Sequence, residues 1–155
     1  MARSIRPALI YWFLVMMTGC HTVPPFPTVD LKEPGWTVRQ GQVIWKRERN
    51  AAGVVGEILV ATRPDGRAFV QFSKNPFPML IAQSTRSSWE AEMPIEKRRY
   101  SGRGLPPAHL IFLYVPRALA GMSLSRKWSW EKVENNGWRL ENRSNGESLE
   151  IFFGT

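Results

Sequence analysis

From Trp36 onward, hydrophobic and polar positions mostly alternate with a period of two, the mark of strands with one buried face. Trp36 and Val38, then Val43 and Trp45, are apolar on one parity within each half. The break between the halves predicts a strand over 36–49 with a bulge near Gly41. Val54 to Thr62 reads as a second strand, and Pro64-Asp65-Gly66 as the turn after it, with proline setting φ and glycine taking φ > 0. In the third strand Ala68, Val70 and Phe72 oppose Phe69 and Gln71. Met79 to Thr85 makes a fourth, and Trp89, Ala91 and Met93 alternate with Glu90 and Glu92 in a fifth. Near the end of the chain, Lys127 to Glu134 sets Trp128 and Trp130 on one face, Trp138 and Leu140 share the return strand, and Leu149, Ile151 and Phe153 share the last. Asn136-Gly137 and Asn145-Gly146 are type I′ hairpin signals. Short turns between consecutive strands imply two antiparallel meanders.

Two stretches break this rhythm. Lys97, Arg98, Arg99 and Arg103 cluster around Tyr100, with Gly102 and Gly104 favouring a loop; this is a solvated loop or a positive rim for an acidic partner. Pro106 to Gly121 is apolar nearly all round from His109 to Val115, which predicts a helix starting at the prolines, interrupted at Pro116 and capped at Gly121. A strand from Leu110 to Val115 is the competing reading of so short an aromatic run. A helix apolar on every side must be covered on more than one side, so it belongs inside a curved sheet.

Ahead of the alternating region, Arg3 and Arg6 precede an apolar run from Ala8 to Met17, then small residues and the chain's single cysteine, Cys20. That order is a secretory signal peptide. Its apolar run is too short to span roughly 30 Å of hydrocarbon comfortably. Met17-Thr18-Gly19-Cys20 resembles the lipobox of bacterial lipoproteins, with Met17 where leucine is usual. The resemblance implies cleavage before Cys20 and lipidation of its thiol. His21 in place of aspartate implies sorting to the outer membrane. The chain then divides into a leader (1–19), an anchor and proline-rich tether (20–34) and one domain (35–155), the tether carrying Pro24, Pro25, Pro27 and Pro34.

Charge and composition narrow the partners. Losing Arg3 and Arg6 takes the formal net charge from +8 to about +6, which outside the cytoplasm suits acidic partners or anionic lipid head groups; the charge would also suit nucleic acid, but the export signal counts against that. One cysteine permits no disulfide within the chain, so the domain is held by its own core. Catalytic and metal chemistry find little material. His21 and His109 are the only histidines, Glu90 and Glu92 share a wet strand face, and Gly102-Arg103-Gly104 lacks the context of a phosphate loop. The expectation is no enzyme, no cofactor and no metal. Trp36, Trp45, Trp89, Trp128, Trp130 and Trp138 line either a solid core or an apolar cavity.

Strands, a basic segment, a buried apolar helix and further strands behind a lipobox resemble the lipoprotein carriers and receptors of the LolA and LolB family. The residues carrying the resemblance are Asn75-Pro76-Phe77-Pro78, the segment Leu110 to Gly121 and the strand of Trp138. It implies an α+β, mostly β fold: an incomplete antiparallel β-barrel enclosing a short apolar helical lid. It also implies a monomer, anchored at the periplasmic face of the outer membrane, that binds the acyl chains of lipoproteins and helps localise them. Trp45, Phe72, Trp89, Leu110, Leu113, Tyr114, Trp130 and Trp138 would line the acyl cavity. Phe77 stands where the family projects a membrane-contacting leucine, here flanked by prolines. Lys97, Arg98, Arg99 and Arg103 would meet an acidic periplasmic carrier.

Overall fold

Side chains of one parity in each strand face a common apolar side, and the strands carrying them join into a single antiparallel sheet. A computed structural model describes residues 26–134 and 136–154; the expected leader, Cys20 and the start of the tether lie outside the described residues. The strands are β1 (Thr37–Lys46), β2 (Val54–Thr62), β3 (Ala68–Lys74), β4 (Phe77–Ser84), β5 (Ser88–Met93), β6 (Arg98–Arg103), β7 (Trp128–Val133), β8 (Gly137–Asn142) and β9 (Ser148–Phe153). Their order is β6-β5-β4-β3-β2-β1-β9-β8-β7, so the two meanders meet where β9 pairs with β1, and β6 and β7 are the two edges. Between β6 and β7 the chain forms a 3₁₀ turn (Ile111–Tyr114) and one short helix, α1 (Val115–Leu119). The architecture is an incomplete antiparallel barrel, mostly β, with a short apolar helical segment on its inner side.

The inner face carries Val43, Ile58, Val60, Val70, Phe72, Leu80, Ala82, Trp89, Ala91, Leu140, Leu149 and Ile151, all buried, and the helical segment packs into them with Leu110 to Val115. Trp45, Phe72 and Phe112 form one aromatic cluster with ring centroids 5.2–5.9 Å apart. Tyr114 packs 4.3 Å from Trp128 and donates its hydroxyl hydrogen to the Pro106 carbonyl. Each fully buried side chain of this size contributes about 1.5–3 kcal/mol relative to exposure. The outer face is polar and partly covered by the end of the tether: the Phe26 amide lies 3.4 Å from a Glu90 carboxylate oxygen, which also accepts from Arg99 at 2.7 Å.

Several local expectations are corrected. Strand β1 runs without a bulge and pairs continuously with β2; Trp36 precedes it. Gly41 is there for closeness, because a Cβ would overlap the Phe152 carbonyl on β9. The basic segment is not a loop but edge strand β6, in which Tyr100 and Gly102 take the inner parity; Lys97, with φ +52°, makes the turn before it. Glycine suits that strand because a Cβ at 102, opposite Trp89, would lie 2.6 Å from the indole. The helix is much shorter than 106–121. Pro116 sits at the start of α1, since in a longer helix it would lack the N–H to bond the Phe112 carbonyl, and the preceding residues tighten into 3₁₀. Gly121, at φ +68°, ends the segment as expected. Neither Asn-Gly pair makes a two-residue type I′ turn. Gly137 already belongs to β8 while Asn136 alone takes φ +56°, and Gly146, at φ +76°, closes a longer loop in which the Asn142 amide donates to Glu147. The connection between β3 and β4 is only Asn75 and a cis Pro76, and Phe77 is the first residue of β4.

Antiparallel order sorts the turns between the two ends of the barrel. The β2–β3 and β4–β5 turns lie at one end with the start of β1. The β1–β2, β3–β4, β5–β6 and β8–β9 turns lie at the other, with the start of β7.

Candidate functional site

A cavity of about 570 Å³ opens at the first of these ends, between α1 and the β2–β3 and β4–β5 turns. Its size lies within the roughly 300–1,000 Å³ of ordinary ligand pockets. The parity of β3 and β5 places Ala68 and Trp89 on its floor, and the helical segment adds Leu113, Pro116, Ala120 and Met122. Met122, just past the glycine cap, is 49% exposed and so stands at the mouth rather than in the core.

Four arginines surround this apolar floor: Arg63, Arg67, Arg86 and Arg117. Two are engaged. Arg63 bonds Glu33 at 3.0 Å and approaches Asp65 at 3.5 Å, Arg67 bonds Asp65 at 3.1 Å, and both lie 5.6 Å over the Trp36 ring. The backbone N–H of Arg67, followed by its guanidinium, holds the exposed Asp65 carboxyl below its usual range. Arg86 and Arg117 meet no carboxylate within 4.0 Å among the described residues. Burial pushes the Tyr114 phenol upward, against the opposing charge of Arg117, so it stays neutral and keeps donating to Pro106. The arrangement offers an apolar pocket with cationic groups at its mouth, suited to an alkyl chain carrying an anionic or strongly polar head.

Of the residues expected to line an acyl cavity, Trp89 and Leu113 line this one. Trp45, Phe72, Leu110 and Tyr114 are packed in the interior instead, and Trp130 and Trp138 stack on each other 5.0 Å apart near the β7 edge. Of the expected basic rim, Lys97, Arg98 and Arg99 lie away from this mouth, whereas Arg103, opposite Ser88 and next to Gly104, stands beside it. Arg99 turns to the outer face and pairs with Glu90, which raises its pKa; Arg98 pairs with Glu96 at 3.5 Å; Lys97 and Arg103 are exposed. Phe77 is 63% exposed and sits at the opposite end of β3 from the mouth, about 20 Å along the strand.

The rim arginines were not anticipated from sequence. Arg117 had a signal, as the sole charge between Leu110 and Gly121; Arg63, Arg67 and Arg86 sit in turns, where basic residues are unremarkable. A second hollow, about 660 Å³, lies on the outer face among Gln40, Gln42, Glu57, Gln71, Ser73 and Phe152. Among the described residues no three His, Cys, Asp or Glu side chains converge as metal ligands would. No helix among them is long and apolar enough to cross a membrane. The chain matches no family model, and no curated protein is similar to it.

Proposed function

We propose that this chain is a lipid-anchored protein of the outer membrane that takes up acyl chains of lipoproteins in the cavity beneath α1 and helps localise them there, as the resemblance to the LolA and LolB family implies. The observation that carries the reading is the apolar floor of Ala68, Trp89, Leu113 and Pro116 at an open end of the barrel. Each methylene moved from water to such a floor contributes about 0.8 kcal/mol, which needs no catalysis and no cofactor. Arg86 and Arg117 hold the polar head of the ligand at the mouth. Phe77, at the far end, touches the receiving membrane.

Purified without its leader and Cys20, the protein should bind a fluorescent palmitoyl probe saturably at one site, with Trp89 emission quenched by a brominated chain. Absence of any saturable uptake overturns the reading. In cells, Phe77→Glu should leave folding intact and impair delivery of lipoproteins; normal delivery removes Phe77 from the mechanism.

A second reading has its own support. The packed cluster of Trp45, Phe72 and Phe112 suits a lipid-anchored interaction module with a solid interior. It expects no acyl uptake and a single protein neighbour on crosslinking.

A further inference from the structure

We infer that the end of the barrel opposite the cavity is a docking face for bilayers rich in anionic phospholipid. The topology gathers there turns that are far apart in sequence. The β1–β2 turn brings Arg47 and Arg49, the β3–β4 turn Lys74 and the β5–β6 turn Lys97. Arg126 and Lys127 lead into β7, and Arg143 follows β8. All seven side chains are exposed, and none has a carboxylate within 4.0 Å among the described residues. The acids of the same end do little to offset them. Glu96 is paired with Arg98, and Glu147 is buried beneath Trp45, which leaves Glu48 and Glu92 against seven cations.

The cavity end is less cationic: there Glu33 and Asp65 offset Arg63 and Arg67, leaving Arg86, Arg103 and Arg117. The cationic end therefore adds a directed field to the net charge of the chain.

Two large apolar side chains stand among these cations. Phe77 is 63% exposed, and Ile95, in the β5–β6 turn, is 58% exposed. A cationic surface punctuated by exposed apolar groups matches a charged head-group layer over hydrocarbon; an acidic protein would match the charge alone. The inference shares Phe77 with the function proposed above but names the lipid class and the whole face that reads it. It concerns binding at the opposite end from acyl uptake, so the two fail separately.

The test uses the full chain held in nanodiscs of uncharged phosphatidylcholine. Asn75→Cys, beside Phe77, carries an environment-sensitive fluorophore, Cys20 being occupied by its lipid. The discs are mixed with vesicles of phosphatidylcholine alone or with added phosphatidylglycerol. The label should shift to the blue and become shielded from aqueous quencher only with the anionic vesicles, and added salt should reverse both changes. Each cation near such a surface is worth about a fivefold change in binding, so Lys74→Gln, Arg126→Gln and Lys127→Gln together should weaken it by about two orders of magnitude. These three side chains are exposed, and an unchanged near-ultraviolet dichroism spectrum confirms that the variant is folded.

Equal binding to both vesicle types, or full binding by the triple variant, overturns the inference. So does shielding of the label by poly-glutamate but not by anionic vesicles, which makes the partner an acidic protein. Palmitoyl uptake by the triple variant is read in parallel. Its persistence while docking fails separates loss of this face from failure of the cavity.

Discussion

Glu147 shows how one residue ties a turn to the core. Its carboxylate accepts from the Trp45 indole at 3.0 Å, and its backbone N–H donates to the Asn145 side chain, yet it is only 5% exposed. Burial pushes its pKa above the ordinary value, more than the bonds from Trp45 and Asn145 and the charge of Arg47 lower it. The folded state therefore holds the proton longer than the unfolded chain. The stability this gives is complete below the unfolded pKa and is lost as pH rises through the folded one. Stability measured by urea unfolding should fall across that window. Glu147→Gln keeps an acceptor for Trp45 but carries no charge, so it should flatten the dependence and leave the variant more stable at neutral pH. Gly102 makes the opposite kind of case, in which absence of a side chain is what matters. Gly102→Ala would set a methyl 2.6 Å from the Trp89 ring. It should cost about 1–3 kcal/mol of unfolding free energy and shift Trp89 emission, because the indole must move.

At the scale of elements, strands were legible wherever one face is dry. Ala68-Val70-Phe72 and Trp89-Ala91-Met93 alternate with positions that are mostly polar, Phe69 excepted, and both strands lie where the pattern puts them. Strand β6 was not legible, since its inner parity holds Tyr100 and Gly102 while charges crowd the rest. An edge strand tolerates such charges and uses them to discourage unwanted pairing. The helical segment was legible as buried, but not as so short: apolarity all round says that a segment is covered, and Pro116 decides its geometry. The cavity was legible only in Trp89 and Leu113, because which large aromatics face a hollow and which fill the core depends on packing that spacing does not encode. The segment's role in the core can be measured. Phe112 is 1% exposed and touches both Trp45 and Phe72. Phe112→Ala should cost about 3–5 kcal/mol by urea unfolding.

The whole molecule depends on a seam between partners distant in sequence. The first meander, β1 to β6, forms from neighbouring hairpins, as does the second, β7 to β9, and pairing across the sheet joins them through β1 and β9. Closing that seam orders the chain from β1 to β9 at once, so it carries a loop-closure cost that the local hairpins do not. Gly41 is the end pair of the seam, opposite Phe153 on β9, and it also pairs with Ile58 on β2. A Cβ there meets the backbone of Phe152 and comes 2.8 Å from the Phe153 Cα, and backbone held by a ladder cannot move aside as a flexible side chain can. Gly41→Val should therefore cost about 3 kcal/mol or more, the upper end of ordinary overpacking. The loss should also be uneven. Amides of β7, β8 and β9 should exchange with solvent far faster than in the parent, while those of β2, β3 and β4, which keep each other and the helical segment, should remain the slowest in the molecule. A uniform rise in exchange across all nine strands would mean instead that the sheet opens as one unit and that the seam is no weaker than the hairpins it joins.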